Sequence, residues 1–244
     1  MKVFAHRGAS GDYPENTMLS FRKSLEIGVD GIELDVHKSK DGKLVVIHDE
    51  DIQRTFKGKG LVKDYTLEEL QQFTCRKFEF VNNDHCKIPT LRDVFELIKD
   101  EDITLNIEAK TDLIHYDIEQ DILNLIYKYK INNKILISSF NHDCINIFKN
   151  LDSNIHYGAL YEYEKDYSPE CNVVDHAKKL NIYSINISQE LVTKEVVDMA
   201  HENNLKVFVY TVNKPNSMRK MIELGVDGVF SDYPDLMNEI LREY

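Results

Sequence analysis

The sequence predicts an α/β protein, a single (β/α)8 TIM barrel spanning residues 1–244 with an insertion at about 37–89. Three observations carry that prediction. Short β-type runs alternate with amphipathic helical stretches eight times, which implies parallel strands joined by right-handed crossovers. The length of 244 residues is close to the ~250 that such a barrel takes. Finally, the run Gly31-Ile32-Glu33-Leu34-Asp35-Val36 sets two carboxylates on one strand face and three aliphatic side chains on the other. A parallel barrel turns the apolar face toward packed helices and aims polar strand ends at a shared site.

The strands fall at about residues 3–6, 31–36, 103–108, 135–140, 156–161, 183–188, 206–212 and 228–232. The first ends in His6-Arg7-Gly8, where a barrel places reactive groups. His6 suits proton exchange near neutral pH, Arg7 suits bidentate capture of a phosphate, and Gly8 suits a close backbone approach to a ligand. In Pro14-Glu15-Asn16-Thr17 the first helix begins, with Asn16 or Thr17 as its cap. Glu15 and Asn16 are also placed to brace the site from behind.

On the second strand, Glu33 and Asp35 stand side by side. Two such charges about 7 Å apart at an effective dielectric of about 20 repel by roughly 2 to 3 kcal/mol, so a cation is expected between them. After this strand, the stretch 37–89 is far longer than an ordinary barrel connection and is expected on the functional rim. It opens as a hairpin, and a two-residue turn at Asp41-Gly42 would set Asp35 opposite His48, bringing an imidazole beside the cation.

The third strand repeats the polar pattern. Asn106, Glu108 and Lys110 share one face, so Glu108 can join Glu33 and Asp35 as an oxygen ligand while Lys110 supplies positive charge. Three carboxylates with no thiolate favour a hard divalent cation, Mg2+ or Ca2+, over zinc. The competing reading is a plain ion pair between Glu108 and Lys110.

Later elements carry fewer signals. Asn141 and Thr193 read as helix caps. Glu26-Ile27-Gly28-Val29-Asp30-Gly31-Ile32 resembles Glu223-Leu224-Gly225-Val226-Asp227-Gly228-Val229, so two helix-to-strand turns share a pattern. In each, the first glycine suits a helix C-cap and the second a tight start of the strand. Phe140, Tyr161 and Tyr163 lie near strand ends, where aromatics line a mouth or pack. The remaining histidines, His37, His85, His115, His142, His156, His176 and His201, share no spacing and read as surface or structural residues.

A net charge of -12 disfavours nucleic acid and anionic membrane surfaces as partners. Cys75, Cys86, Cys144 and Cys171 show no paired metal spacing, and no apolar run has the length of a leader or a membrane span. A soluble, cytoplasmic protein with reduced thiols and no stable membrane association is expected. Its oligomeric state is not encoded in any of these signals.

Taken together, His6-Arg7-Gly8, Pro14-Glu15-Asn16-Thr17, Glu33-x-Asp35, His48-Asp49, Glu108-x-Lys110 and Ser231-Asp232-Tyr233-Pro234, in this order, resemble the glycerophosphodiester phosphodiesterase family. Within the insertion, Arg54-Thr55, Gly58, Gly60 and Ile88-Pro89-Thr90-Leu91 look like that family too. The resemblance implies Glu33, Asp35 and Glu108 as ligands of one divalent cation, His6 and His48 as the acid and base pair, and Arg7 and Lys110 as phosphate contacts. It also implies cleavage of a glycerophosphodiester to glycerol 3-phosphate and an alcohol; His48 is assigned as acid and His6 as base. Where the family often carries tryptophan, Tyr210 precedes Thr211-Val212-Asn213, so an aromatic wall with a polar tip is expected on the substrate side. Related metal-dependent phospholipase barrels of the C or D type, a non-catalytic glycerophosphate-binding barrel, and a different hydrolase using a metal-activated water on a similar scaffold are the alternatives.

Overall fold

The computed structural model describes residues 1–163, 166 and 172–244. Strand β1 (Lys2–Ala5) leads through helix α1 (Met18–Ile27) to β2 (Gly31–Lys38). An antiparallel β3 (Leu44–Val46) and a one-turn α2 (Leu67–Leu70) lie within the insertion, before α3 (Leu91–Ile98) resumes the alternation. β4 (Thr104–Ala109), α4 (Glu119–Tyr129), β5 (Ile135–Ser139), α5 (His142–Leu151), β6 (His156–Tyr161) and α6 (Val173–Leu180) follow. The chain ends with β7 (Ser184–Ser188), α7 (Lys194–Glu202), β8 (Lys206–Tyr210), α8 (Pro215–Leu224), β9 (Gly228–Ser231) and α9 (Pro234–Leu241). Apart from β3, every paired strand is parallel to its neighbours, and β1 bonds to both β2 and β9, which closes an eight-stranded barrel. All eight expected strands form, within two residues of their expected ends.

The two faces of each strand separate as the period-2 pattern requires. Ile32, Leu34 and Val36 of β2 and Leu105, Ile107 and Ala109 of β4 join Phe21, Leu91, Val94 and Phe95 in the layer between barrel and helices. Inward-facing Phe4, Leu136, Phe208 and Phe230 form a separate apolar plug, with ring centroids 5.0 Å apart for Phe4 and Phe230 and 5.4 Å for Phe4 and Phe208. The plug fills one end of the barrel interior, leaving polar inward residues for the other. Tyr161 packs in the outer layer, its hydroxyl 3.0 Å from His176 Nδ1, so of the three aromatics suggested for the mouth it is the one that the structure removes.

The insertion has its own small core. Val45, Ile47, Ile52, Phe56, Val62 and Leu70 are buried together with Cys75, Cys86 and Ile88. Cys75, Cys86 and Cys144 are unpaired and buried; Cys171 lies outside the described residues. Among the described residues no helix is long and apolar enough to cross a membrane.

The hairpin register differs from expectation by one residue. Val36 pairs with Val46 and Lys38 with Leu44, so Ile47, not His48, comes opposite Asp35, whose carbonyl accepts from its N–H at 3.1 Å. The cause is a three-residue loop, Lys40-Asp41-Gly42, with Gly42 in the left-handed region (φ 73°). A regular ladder would turn His48 to the wrong face. It does not, because the ladder stops at Val46, and the chain then bends so that the carbonyl of His48 meets Nε2 of buried His37 at 2.9 Å. His37 is therefore a structural support for His48. Burial holds its pKa below the usual histidine range, and a neutral ring donating from Nε2 and accepting from the Tyr116 hydroxyl at 3.2 Å satisfies both nitrogens.

The repeated Gly-x-Asp-Gly turns adopt one solution. Gly28 and Gly225 are left-handed helix caps (φ 81° and 75°), and Asp30 and Asp227 each accept a backbone N–H from an adjacent strand, Val3 at 2.8 Å and Val207 at 2.9 Å. Gly31 is required for space instead, since a Cβ there would lie 2.4 Å from the Phe4 ring. Replacing Gly28 by Ala should cost about 1 kcal/mol in backbone strain. Gly31→Ala, which pushes into the plug, should cost at least about 2 kcal/mol. Urea unfolding of the two variants checks this ordering, and equal destabilisation would contradict it.

Candidate active site

The polar ends of β2 and β4 are brought level by their register, which pairs Glu33 with Asn106 and Asp35 with Glu108. All three carboxylates are buried, and one oxygen from each lies within 4.8 Å of the others. Burial and the neighbouring carboxylates push the Glu33 pKa well above the usual range. Glu108 is likewise raised by burial, against the pull of Lys110. Burial also works against ionised Asp35, but Arg7, His48 and Lys110 outweigh it and hold that carboxyl low. Glu33 Oε1 and Asp35 Oδ1 have no hydrogen-bond partner among the described residues. Unpaired, buried, hard oxygen donors at this spacing could hold a divalent cation.

The other oxygens of these carboxylates are fixed. Glu33 Oε2 accepts the Arg7 backbone N–H at 2.8 Å, and Asp35 Oδ2 accepts from Asn16 Nδ2 at 2.8 Å. Both donors sit in left-handed conformations, Arg7 at φ 56° and Asn16 at φ 54°, which are sparsely populated for side-chain-bearing residues. The Arg7 carbonyl is in turn held by the Asn16 N–H at 2.9 Å and the Ser20 hydroxyl at 3.1 Å. Thr17 caps α1 in a reciprocal box with Ser20, so Thr17 is the cap and Asn16 the brace. Gly8 is also required by this junction, since it has φ 79° and a Cβ there would lie 2.4 Å from Ser20 Oγ.

Two imidazoles face the carboxylates, each held at Nδ1 by an aspartate. His6 Nδ1 donates to Asp232 Oδ1 at 2.7 Å, and Asp232 is itself held by Asn213 Nδ2 at 2.6 Å and Ser10 Oγ at 3.0 Å. His48 Nδ1 donates to Asp49 Oδ1 at 2.5 Å, and Asp49 Oδ2 accepts from Arg54 Nε at 2.6 Å. Because a carboxylate only accepts, Nδ1 carries the proton in both rings, and Nε2 is left for the cavity.

That cavity, about 740 Å3, is lined by His6, Arg7, Glu33, His48, Glu108, Lys110 and Tyr210, with Asp35 just behind. The candidate ligands, the two candidate catalytic histidines, Arg7, Lys110 and Tyr210 are thus brought together at one barrel end. Lys110 Nζ contacts Glu108 Oε1 at 2.8 Å, so the ion pair considered as a competing reading exists, inside the cavity and next to the other two carboxylates. Arg7 lies 3.0 Å from Glu15 and 3.4 Å from Asp35. Tyr210 packs edge-on against Phe140 at 6.0 Å between centroids, and its hydroxyl has no partner among the described residues. Phe140 and Tyr163 line the mouth. On the floor, Asn106 and Asn186 each give one amide end to a serine, Ser138 and Ser184, at 2.8 and 2.9 Å.

Asp49, Arg54, Asn213 and Asp232 complete the site without having a role legible in the sequence. Asp49 and Asp232 were visible only as neighbours of His48 and Ser231 within motifs; their pairing with the histidines depends on how the loops fold.

Residues 6–236 match the model of the glycerophosphoryl diester phosphodiesterase family. A glycerophosphodiester phosphodiesterase of Caldanaerobacter subterraneus subsp. tengcongensis is 39% identical over 248 residues, covering 99% of this chain and 98% of its own. Among solved structures, a glycerophosphodiester phosphodiesterase from Thermotoga maritima is 31% identical with a TM-score of 0.79, covering 98% of both chains. An Oleispira antarctica phosphodiesterase, solved in complex with the product sn-glycerol-3-phosphate, is 28% identical with a TM-score of 0.86, covering 99% of this chain and 97% of its own. With its family match running from His6 to Leu236 and a relative this similar along the whole chain, the protein belongs to the glycerophosphoryl diester phosphodiesterase family and is a hydrolase of glycerophosphodiesters.

Proposed function

We propose that this enzyme cleaves small glycerophosphodiesters to glycerol 3-phosphate and a free alcohol, with one divalent cation, Mg2+ or Ca2+, held by Glu33, Asp35 and Glu108, and with His6 and His48 as the base and acid. The observation that supports this most is the convergence of three buried carboxylates, with unpaired oxygens on Glu33 and Asp35, beside two aspartate-anchored imidazoles in one cavity. The Oleispira relative, solved with sn-glycerol-3-phosphate, supports the product.

When bound, the cation supplies Lewis-acid neutralisation of the phosphoryl oxygens. Arg7 and Lys110 add positive charge on the same group. Arg7 is pre-set by Glu15 and Asp35, and Lys110 by Glu108. Burial disfavours both charges, yet the surrounding carboxylates raise both pKa values, so each cation is retained. His6 takes the proton of the incoming water oxygen as its bond to phosphorus forms. His48, entering the step with both ring nitrogens protonated, keeps Nδ1–H on Asp49 and gives its Nε2 proton to the alcohol oxygen as the other P–O bond breaks. The Tyr210 and Phe140 rings form a wall for the organic part of the substrate.

A net charge of -12 fits a small-molecule substrate whose phosphate meets Arg7, Lys110 and the cation better than a nucleic acid or an anionic membrane surface. The buried, unpaired thiols of Cys75, Cys86 and Cys144 fit a reducing cytoplasm.

Chelation should abolish release of glycerol 3-phosphate, and readdition of Mg2+ or Ca2+ should restore it. Glu33→Ala should lower kcat by at least about 100-fold in either ion. Full turnover in excess chelator would remove the cation from the mechanism. For the acid, His48→Ala should slow a choline-type diester by about 100-fold or more and a nitrophenyl diester, whose leaving group needs little protonation, by under about tenfold. Equal loss on both substrates would reverse or remove that assignment.

A further inference from the structure

We propose that Arg54, a half-exposed residue of the insertion outside the cavity, is a positioning residue that couples the leaving-group acid to the phosphate contact by clamping the carboxylates behind both. The inference rests on the roles proposed above for His48 and Arg7.

Most exposed ion pairs contribute little, because solvent screens them and long side chains lose freedom. Arg54 is bound differently. Its Nε and Nη2 reach both oxygens of Asp49, at 2.6 and 3.2 Å, while Nη1 and Nη2 reach both oxygens of Glu15, each at 2.7 Å. One planar guanidinium thus makes two fork-to-carboxylate contacts at once, an arrangement that a lysine ammonium cannot reproduce. Each carboxylate has a second occupation. Asp49 holds His48 Nδ1 at 2.5 Å, which fixes the ring orientation and its tautomer. Glu15 holds Arg7 Nη1 at 3.0 Å, and Arg7 then lies 3.4 Å from Asp35.

A continuous chain of charges therefore runs from His48 through Asp49, Arg54, Glu15 and Arg7 to Asp35. Glu15 and Arg54 are 39 residues apart in sequence, so this chain ties the rim insertion to the loop after β1. Without Arg54, Asp49 and Glu15 lose their shared counter-charge and are free to turn toward other donors. His48 then loses its fixed Nδ1 partner, and Arg7 loses the carboxylate that aims it.

The two arms have separable kinetic signatures. Asp49→Asn should lower kcat on glycerophosphocholine by about 10- to 100-fold and barely change kcat on a glycerol nitrophenyl phosphodiester, with KM unaltered. Glu15→Gln should instead raise KM on both substrates without separating them. Arg54→Met should show both effects together, retain the wild-type circular dichroism spectrum, and recover part of its kcat in millimolar guanidinium, while Arg54→Lys recovers one arm at most. The inference is overturned if folded Arg54→Met stays within twofold of wild type in kcat and KM on both substrates, or if it slows both substrates equally with no change in KM and no guanidinium rescue. If Arg54→Met does not fold, the paired signatures of Asp49→Asn and Arg54→Lys decide, and their absence overturns the inference. Loss of the substrate split in His48→Ala marks failure of the acid assignment itself, independently of Arg54.

Discussion

Mutual repulsion among three carboxylates buried at the ends of two adjacent strands is the constraint around which the site is organised. One oxygen from each of Glu33, Asp35 and Glu108 lies within 4.8 Å of the others, and at an effective dielectric of about 20 each ionised pair at that separation costs about 3 kcal/mol. The protein compensates only partly. Arg7 and Lys110 approach from two sides, and Asn16 and the Arg7 backbone donate to one oxygen each of Asp35 and Glu33. Burial first, and then the neighbouring carboxylates, still raise Glu33 and Glu108 against the pull of Arg7 and Lys110. A hard divalent cation at the unpaired oxygens of Glu33 and Asp35 would complete the compensation.

That constraint explains the surrounding architecture. The loop after β1 takes up two left-handed residues, Arg7 and Asn16, locks them against α1 through Ser20, and so presents a backbone N–H and an amide to the two carboxylates simultaneously. Likewise, the insertion is a folded unit with its own apolar core. It can therefore hold His48 and Arg54 against the rim from outside the barrel, whereas an unstructured loop would not fix them. Both imidazoles use the same device, an aspartate on Nδ1, so the pair differs mainly in what stands behind each aspartate: Asn213 and Ser10 for His6, and the Arg54 clamp for His48.

Period-2 alternation makes much of this legible in the sequence. Glu33 with Asp35, and Asn106 with Glu108 and Lys110, had to share faces, and the apolar residues between them had to meet helices. Helix caps at Asn141 and Thr193, and one at either Asn16 or Thr17, were readable from local sequence, and the structure places the last at Thr17. Other features were hidden because they depend on contacts between distant segments. Asp232 reaches His6 across 226 residues, and only barrel closure between β1 and β9 makes them neighbours. The position of His48 was reached by a route the register did not predict: a left-handed Gly42 added a residue to the hairpin loop, and the bend after Val46 then restored the side chain to the cavity. His37 looked like an unremarkable histidine because its role, supporting the His48 carbonyl, is carried by a backbone contact that no spacing rule reveals.

The most direct test of the central claim is calorimetric titration of chelator-stripped protein with Mg2+ and Ca2+, on wild type and on Glu33→Gln and Asp35→Asn. The account predicts saturable binding at one site per chain in the wild type, accompanied by a rise in Tm, and loss of both in the variants. Absence of binding to a folded wild type, or binding that survives in both variants, would contradict it.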